Sequence, residues 1–152
     1  MSAQQLLPKI DRPATERRVK EALDLARDFI RMGFHPGVEV GTTTGYSLVP
    51  PTQTNQFHSS TENVAIKNVD IELKRKEYVQ RVITAVTRLG KRERELILKR
   101  WFGDEDMTDI EVYMELGMSQ STYYRIRGRA FFKLAFALKL EVYECDTDLR
   151  GN

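Results

Sequence analysis

The segment from Ser119 to Lys139 carries five positive side chains and no Asp or Glu. Acids are almost as common as bases in the whole chain, which has 22 of the former and 24 of the latter. Since the formal net charge is only +2, attraction to a polyanion has to come from local clustering rather than from the field of the whole protein. The segment therefore predicts a surface for a polyanion. Its cations are Arg125, Arg127, Arg129, Lys133 and Lys139.

Local signals place this segment on the second of two short helices. Thr108 and Glu111 have the spacing of a capping box, in which a hydroxyl and a carboxylate each satisfy a free amide at a helix start, so a helix is expected to begin at Asp109. Gly117 can adopt the positive φ angle that ends a helix. Ser119 is a favourable N-cap for the helix that follows. The pattern predicts two helices joined by a turn centred on Gly117.

The second helix is expected to have an apolar and a polar side. Its inner stripe is Tyr123, Ile126, Ala130, Leu134, Ala137 and Leu138. The residues that face outward near its N-terminal end are Gln120, Ser121, Thr122, Tyr124, Arg125 and Arg129. In a helix-turn-helix, the second helix enters the major groove with its N-terminal residues, while the first crosses the phosphate backbone. Arg can bind guanine and Gln adenine through paired hydrogen bonds, and hydroxyls can reach phosphates or base edges.

This arrangement predicts a binding site for double-stranded DNA. The predicted DNA-binding residues are Thr108, Ser119, Gln120, Ser121, Thr122, Tyr124, Arg125, Arg127, Arg129, Lys133, Arg92 and Arg94. An alternative stays open, because a basic solvated helix or a helix that docks on an acidic protein would carry the same capping signals. Gly128 lies inside the helix, at a cost of about 1 kcal/mol relative to Ala. Close approach of another backbone or of DNA would explain it, and tolerated sequence drift would explain it equally well.

The whole chain of 152 residues is expected to be all-α, with a helix-turn-helix bundle at its C-terminal end. Capping signals, apolar periodicity and helix-breaking Gly and Pro residues divide it into five segments. These are an N-terminal helix (1–33), a Gly/Pro-rich loop or linker (34–58), a long connecting or oligomerisation helix (59–89), the DNA-binding domain (90–143) and a C-terminal tail (144–152).

The helix ends and apolar stripes follow from particular residues. Pro13 and Thr15 precede the stripe of the first helix, and Gly33 closes it. Ser59 and Glu62 have capping-box spacing before the long helix. Two apolar stretches of that helix flank a charged middle. One end is therefore expected to pack into the C-terminal core, and the other is expected to pack against a partner subunit or against the first helix of the same chain. The second stretch is Val79, Val82, Ile83, Val86 and Leu89. The loop is expected to pack in part on a helix or a partner chain, or to be a flexible connector.

Several classes of function are not indicated. No apolar run approaches the roughly 18 to 20 residues of a membrane span, and the first residues lack the apolar core of a secretory signal, so a cytoplasmic protein without membrane contact is expected. Cys145 cannot form an internal disulfide, and His35 and His58 are too far apart in the chain for a zinc cluster. The sequence contains no triad pattern, phosphate-binding loop or metal-ligand spacing. We therefore expect no enzyme, no cofactor, no metal and no small-molecule substrate.

The C-terminal part resembles region 4 of sigma-70-type factors, the module that contacts promoter minus-35 elements. The likeness rests, in this order, on Leu89-x-x-Arg92-Glu93-Arg94, the run 96–102 with Gly103, Leu116-Gly117-Met118-Ser119, and Arg125-Ile126-Arg127. The other sigma regions are absent, so a complete sigma factor is not expected. Tyr113 stands where such helices usually carry a small residue, which predicts either a wider angle between the two helices or a ring at the surface.

The whole chain, including the stretches GYSLVPPTQTNQFHSSTENVA and STYYRIRGRAFFKLAFAL, is similar to the phage-encoded regulators named after the autolysin regulatory protein ArpU. Members of that family are regarded as transcriptional regulators of late phage genes, for packaging and lysis, in Gram-positive hosts. The resemblance implies a DNA-binding activator that acts with host RNA polymerase near a promoter, in the cytoplasm of the bacterial host and associated with its nucleoid.

Two other functions compete with this one. A DNA-packaging adaptor of the small-terminase kind also combines a helix-turn-helix with oligomerising helices, and would form a ring of subunits. An anti-sigma-like protein would use the same fold to bind RNA polymerase without DNA. A homodimer is the preferred oligomer, because a small module neutralises few phosphates, and a dimer would place two recognition helices about 34 Å apart on a palindromic site.

Overall fold

The computed structural model describes residues 8–34 and 60–144, and these residues form helices joined by short connections. The helices are α1 (Arg12–Arg31), α2 (Ser60–Thr87), α3 (Lys91–Trp101), α4 (Asp109–Glu115) and α5 (Gln120–Leu138). Within the described ranges there is no β-strand, only an isolated antiparallel bridge between Ile10 and Tyr143. The all-α class expected from the sequence is confirmed.

Helix α1 begins earlier than the sequence pattern indicated. Asp11 is its N-cap, and the carboxylate accepts a hydrogen bond of 3.1 Å from the Ala14 amide. Pro13 lies in the first turn, where a missing amide hydrogen costs nothing. Thr15 is buried inside the helix and donates from its hydroxyl to the Asp11 carbonyl at 2.7 Å. Pro13 and Thr15 were predicted to precede the apolar stripe that begins at Val19, and the structure places both of them inside the helix; Gly33 ends it, with a φ of +101°.

One hydrophobic core is shared by all five helices of the described chain. Its largest fully buried side chain is Trp101 of α3, whose ring lies 5.6 Å from that of Phe131 in α5. The indole nitrogen of Trp101 donates to Asp24 of α1 at 2.9 Å, which satisfies a polar group that burial would otherwise leave unpaired. The first segment of the chain thus packs into the same core as the C-terminal bundle.

Helix α2 contributes to this core through its C-terminal half. Val79, Val82, Val86 and Leu89 are buried and Ile83 is partly buried, as the apolar stripe predicted. Toward the other end, Val69, Ile71 and Leu73 are 55%, 45% and 53% exposed. The described part of that end therefore contacts no core of its own chain.

The buried face of α5 is wider than the predicted stripe. Tyr123, Ile126, Ala130, Leu134 and Leu138 are buried as expected. Ala137 is exposed, so its assignment to the inner stripe was wrong, and Phe131 and Ala135 are buried in addition. The physical reason is that α5 packs against α1, α2 and α3 together, so more than one stripe of a 3.6-residue helix is covered.

Several predictions fall outside the described residues. They concern the cap at Ser59, the loop 34–58 beyond Phe34, the tail after Glu144, and the residues considered for a metal or disulfide, His35, His58 and Cys145. Within the described ranges, no helix combines the length and the apolar character needed to cross a membrane.

Candidate nucleic-acid interface

The turn between α4 and α5 is built as the local signals predicted. The Thr108 hydroxyl accepts from the Glu111 amide at 3.4 Å, and the Glu111 carboxylate accepts from the Thr108 amide at 2.7 Å, which completes the capping box. This hydrogen bond from the Thr108 amide is the main reason why the pKa of Glu111 is lowered. Gly117 has a φ of +65°, and Ser119 caps α5 by accepting from the Thr122 amide at 3.3 Å. The two helices start at the predicted residues.

Asp109, the first residue of α4, joins three helices. One carboxylate oxygen accepts from the Arg100 Nε of α3 at 3.1 Å and also from the Tyr123 hydroxyl of α5. The other oxygen accepts from the guanidinium of Arg127 in α5 at 3.1 Å. Burial, and then the hydrogen bond to Asp109, raise the pKa of Tyr123, so the phenol stays protonated and continues to donate. We name these four residues the Asp109 cluster.

The Asp109 cluster determines the position of Arg127. Its side chain is mostly buried, and besides its ion pair its guanidinium lies 4.8 Å from the ring centre of Phe131 and 5.3 Å from that of Tyr124. The structure therefore does not place Arg127 with the exposed members of the predicted DNA-binding set. Its guanidinium is paired with a carboxylate that it shares with Arg100, and this pair holds α5 against α4.

Lys133 and Arg94 have partners within the protein, whereas Arg92 is exposed. The ammonium group of Lys133 bridges both carboxylate oxygens of Glu93 at 2.9 and 3.0 Å, and Glu93 is buried and accepts from the Gly90 amide at 3.1 Å. Arg94 donates to the carbonyl of Thr87 at 3.2 Å. Lys133 keeps about half of its side chain exposed. Arg92 is exposed, next to the turn between α4 and α5.

A continuous exposed face remains on the N-terminal half of α5. Its members are Gln120, Ser121, Tyr124, Arg125 and Arg129. None of the ion pairs among residues 8–34 and 67–144 involves Arg125 or Arg129. The Tyr124 ring is 43% exposed and rests edge-on against Tyr123, with 5.2 Å between ring centres. We name this set the α5 face.

The remaining predicted residues border the α5 face. Thr108 and Ser119 are exposed and Thr122 is partly exposed, but their hydroxyls are engaged in the helix caps. Tyr113 is partly buried, with its ring centre 5.7 Å from that of Tyr123, so the ring packs toward α5 instead of lying free at the surface. DNA contact by any of these residues stays a prediction.

Two features of this region had no signal in the sequence. Asp109 is separated from Arg100 and Arg127 by 9 and 18 residues, so no local pattern relates them. Arg12 of α1 lies beside α5, although more than a hundred positions separate them in the chain. In the described ranges, no group of three or more His, Cys, Asp or Glu side chains is placed to hold a metal ion.

Comparisons with known proteins give phage-related relatives. The chain is 32% identical over 137 residues to the uncharacterized phage-related protein Lin1259/Lin1739 of Listeria innocua, a match that covers 90% of this chain and 94% of the relative. It is 24% identical over 138 residues to protein Gp66 of Listeria phage A118, again over 90% of this chain and 94% of the relative. No family model matches the chain. No solved structure matches it either.

Proposed function

The chain belongs to the family of phage-related proteins that includes Lin1259/Lin1739 of Listeria innocua, and on that premise we propose that it is a sequence-specific DNA-binding transcriptional regulator. Its binding unit is a helix-turn-helix formed by α4 and α5. The observation that carries the proposal is the α5 face, which combines an amide, a hydroxyl and an exposed tyrosine with guanidinium groups that take part in no ion pair of the described residues, all on the leading half of one helix.

The chemistry of the α5 face suits a major groove. An α-helix with its side chains is about 10 to 12 Å wide, which matches a groove about 12 Å wide. Arg125 and Gln120 offer side chains that can form paired hydrogen bonds with guanine and adenine. Backbone amides at the start of α5 would favour a phosphate. The charge distribution supports the same partner, because cations exposed without acids attract the DNA backbone.

The finer proposal is that the protein activates late phage genes, for packaging and lysis, together with host RNA polymerase. Its basis is the sequence resemblance to the ArpU family and to sigma-70 region 4, and the phage-related relatives agree with it. The protein would act in the cytoplasm of its bacterial host. It would bind as a homodimer, because one small helix pair neutralises few phosphates and binds DNA weakly. In this proposal it is a binding protein and not an enzyme.

Binding to DNA is tested with purified full-length protein. Fluorescence anisotropy would compare duplexes from the late region of the phage genome with mixed-sequence duplex at physiological salt, and footprinting would locate the bound site. We expect a preference for one site of the late region. Equal affinity for both kinds of duplex would refute sequence-specific regulation.

The role of Arg125 gives a sharper test. If its guanidinium binds a guanine, Arg125→Ala loses about 1 to 3 kcal/mol of binding free energy at one base pair of the site and relaxes specificity there. A phosphate contact would instead weaken binding to all sequences alike and reduce the salt dependence. Arg18→Ala is the matched control, since Arg18 is exposed on α1 and, unlike Arg12, is not among the residues of α1 that lie beside α5. Unchanged affinity in Arg125→Ala would contradict the proposed orientation of α5.

A further inference from the structure

Gly128 lies in an open cleft of about 570 Å³ between the start of α1 and the outer side of α5. We name it the α1–α5 cleft. Helix α1 contributes two residues to it and α5 contributes the others. The lining residues are Arg12, Glu16, Tyr124, Arg125, Gly128, Arg129, Phe132 and Lys133. The cleft is thus continuous with the α5 face, since Tyr124, Arg125 and Arg129 belong to both.

The fold of the described chain does not require glycine at position 128. Gly128 is an interior residue of α5 and is not among the residues with positive φ. A Cβ atom built on it meets nothing within 4 Å. Alanine would therefore fit, and it would favour the helix, because glycine is a poor residue for a helix interior. The missing side chain leaves the floor of the cleft open.

The rim of the cleft is cationic on both of its sides. Arg12 approaches from α1, and Arg125 and Arg129 approach from α5. None of the three takes part in an ion pair within residues 8–34 and 67–144. Glu16 is the one acid of the lining, and Lys133 is already paired with Glu93. Apart from the Lys133–Glu93 pair, three guanidinium groups and one carboxylate line the cleft, so its lining has an excess of positive charge that suits an anion from outside.

We propose that the α1–α5 cleft seats the sugar-phosphate backbone of one strand of bound duplex DNA, with Gly128 permitting close approach and Arg12 supplying a phosphate contact from α1. This inference rests on the proposed function. A helix that fills the major groove has a phosphate strand on each side of it. The side of α5 that bears Gly128 faces α1, so the strand on that side would run between the two helices. Arg12 thereby extends the DNA-binding surface beyond the helix pair.

The decisive variant is Gly128→Ala, because helix propensity and the proposed contact predict opposite effects. We expect its melting temperature to rise, and its affinity for a mixed-sequence duplex at low salt to fall several-fold, because the added methyl group would keep the backbone of the DNA away from α5. Ala137→Gly is the matched control on the same helix, since Ala137 is exposed and does not line the cleft. That control should lower the melting temperature and leave the affinity unchanged.

A second variant tests the contact from α1. Arg12→Ala should reduce the slope of log affinity against log salt by about 0.9, the value for one phosphate contact, whereas Arg18→Ala should leave the slope as in the wild type. Affinity would be measured by anisotropy and stability by circular dichroism on the same samples. A slope unchanged by Arg12→Ala contradicts the inference even if Gly128→Ala fails to fold.

The outcomes separate the inference from the proposed function. If the wild type binds duplex and both variants bind as tightly with unchanged slopes, the inference is overturned and the proposed function stands. A melting temperature lowered by Gly128→Ala would also overturn it, since the glycine would then serve the fold. If the wild type binds no duplex at low salt, both fail. Binding of poly-glutamate that Gly128→Ala weakens, with duplex binding intact, would overturn it in favour of an acidic protein partner.

Discussion

Asp109→Asn should destabilise the protein, because the Asp109 carboxylate is the shared acceptor of groups from α3 and α5. The substitution keeps the size of the side chain and one carbonyl oxygen, which can still accept from the Tyr123 hydroxyl. It removes the negative charge and replaces the other oxygen with a donor. Arg100 and Arg127 then face a neutral amide, and their side chains are only 16% and 19% exposed.

The size of the effect follows from this partial burial. Removing one partner of a buried ion pair costs about 3 to 5 kcal/mol, whereas exposed pairs contribute roughly 0 to 1 kcal/mol. Asp109 is 25% exposed, so we place the loss in free energy of unfolding between these limits, at about 2 kcal/mol. For a chain of this size, a loss of that amount lowers the melting temperature by roughly 4 to 8 °C.

The assay is thermal unfolding followed by circular dichroism, with a urea titration to obtain the free energy. Asp106→Asn is the matched control, because Asp106 pairs with Arg31 at the exposed surface and its loss should leave the melting temperature unchanged. A double-mutant cycle with Arg127→Met would isolate the pair, with an expected coupling of about 1 to 3 kcal/mol. A melting temperature of Asp109→Asn equal to that of the wild type would refute the idea that this carboxylate holds the three helices together.

Three further predictions follow from the same region. Arg127→Ala should lower the melting temperature while Arg125→Ala does not, because Arg127 is paired with the Asp109 carboxylate and Arg125 is in no ion pair of the described side chains. Equal melting temperatures for the two variants would contradict this. The pKa of Tyr123 is raised in the folded protein, so its contribution to the free energy of unfolding is complete below the ordinary pKa of 10.0 and is lost as pH rises above it. In urea titrations at alkaline pH, Tyr123→Phe should therefore lose less stability than the wild type. The pKa of Glu111 is lowered in the folded protein, so its contribution to stability is present above the ordinary pKa of 4.5 and is lost as pH falls through the lower folded value. Glu111→Gln should therefore make the free energy of unfolding less dependent on pH in the acid range. An unchanged dependence would count against the capping box.

The helix starts at Asp109 and Gln120 and the turn at Gly117 could be predicted because each depends on neighbours only a few positions away. A capping box involves residues three apart, and the φ angle of a glycine is a property of one residue. The start of α1 was predicted less well. Asp11 and Pro13 both carry start signals, and Thr15 looks like a cap until it is seen to be buried in the helix.

The buried and exposed sides of α5 differ from those that its apolar periodicity predicted. A single stripe of apolar residues predicts one buried side, but Phe131 and Ala135 are buried as well, because three helices cover α5 from different directions. For the same reason, counting cations in the sequence overstated the exposed charge. Of the predicted contacts, Arg127 and Lys133 are paired with carboxylates from α4 and α3.

The sequence by itself determined the helical class, the caps at Thr108 and Ser119, the turn and the polarity of the second helix of the pair, since these follow from residue types and spacings within one or two turns. Only the tertiary structure decided which guanidinium groups remain unpaired and which helix lies beside α5. The ion pair of Arg127 with Asp109 and the cleft lined by Arg12 and Gly128 bring together residues that are distant in the chain. Their formation depends on how the shared core packs the helices against one another, and local propensity carries no information about that packing.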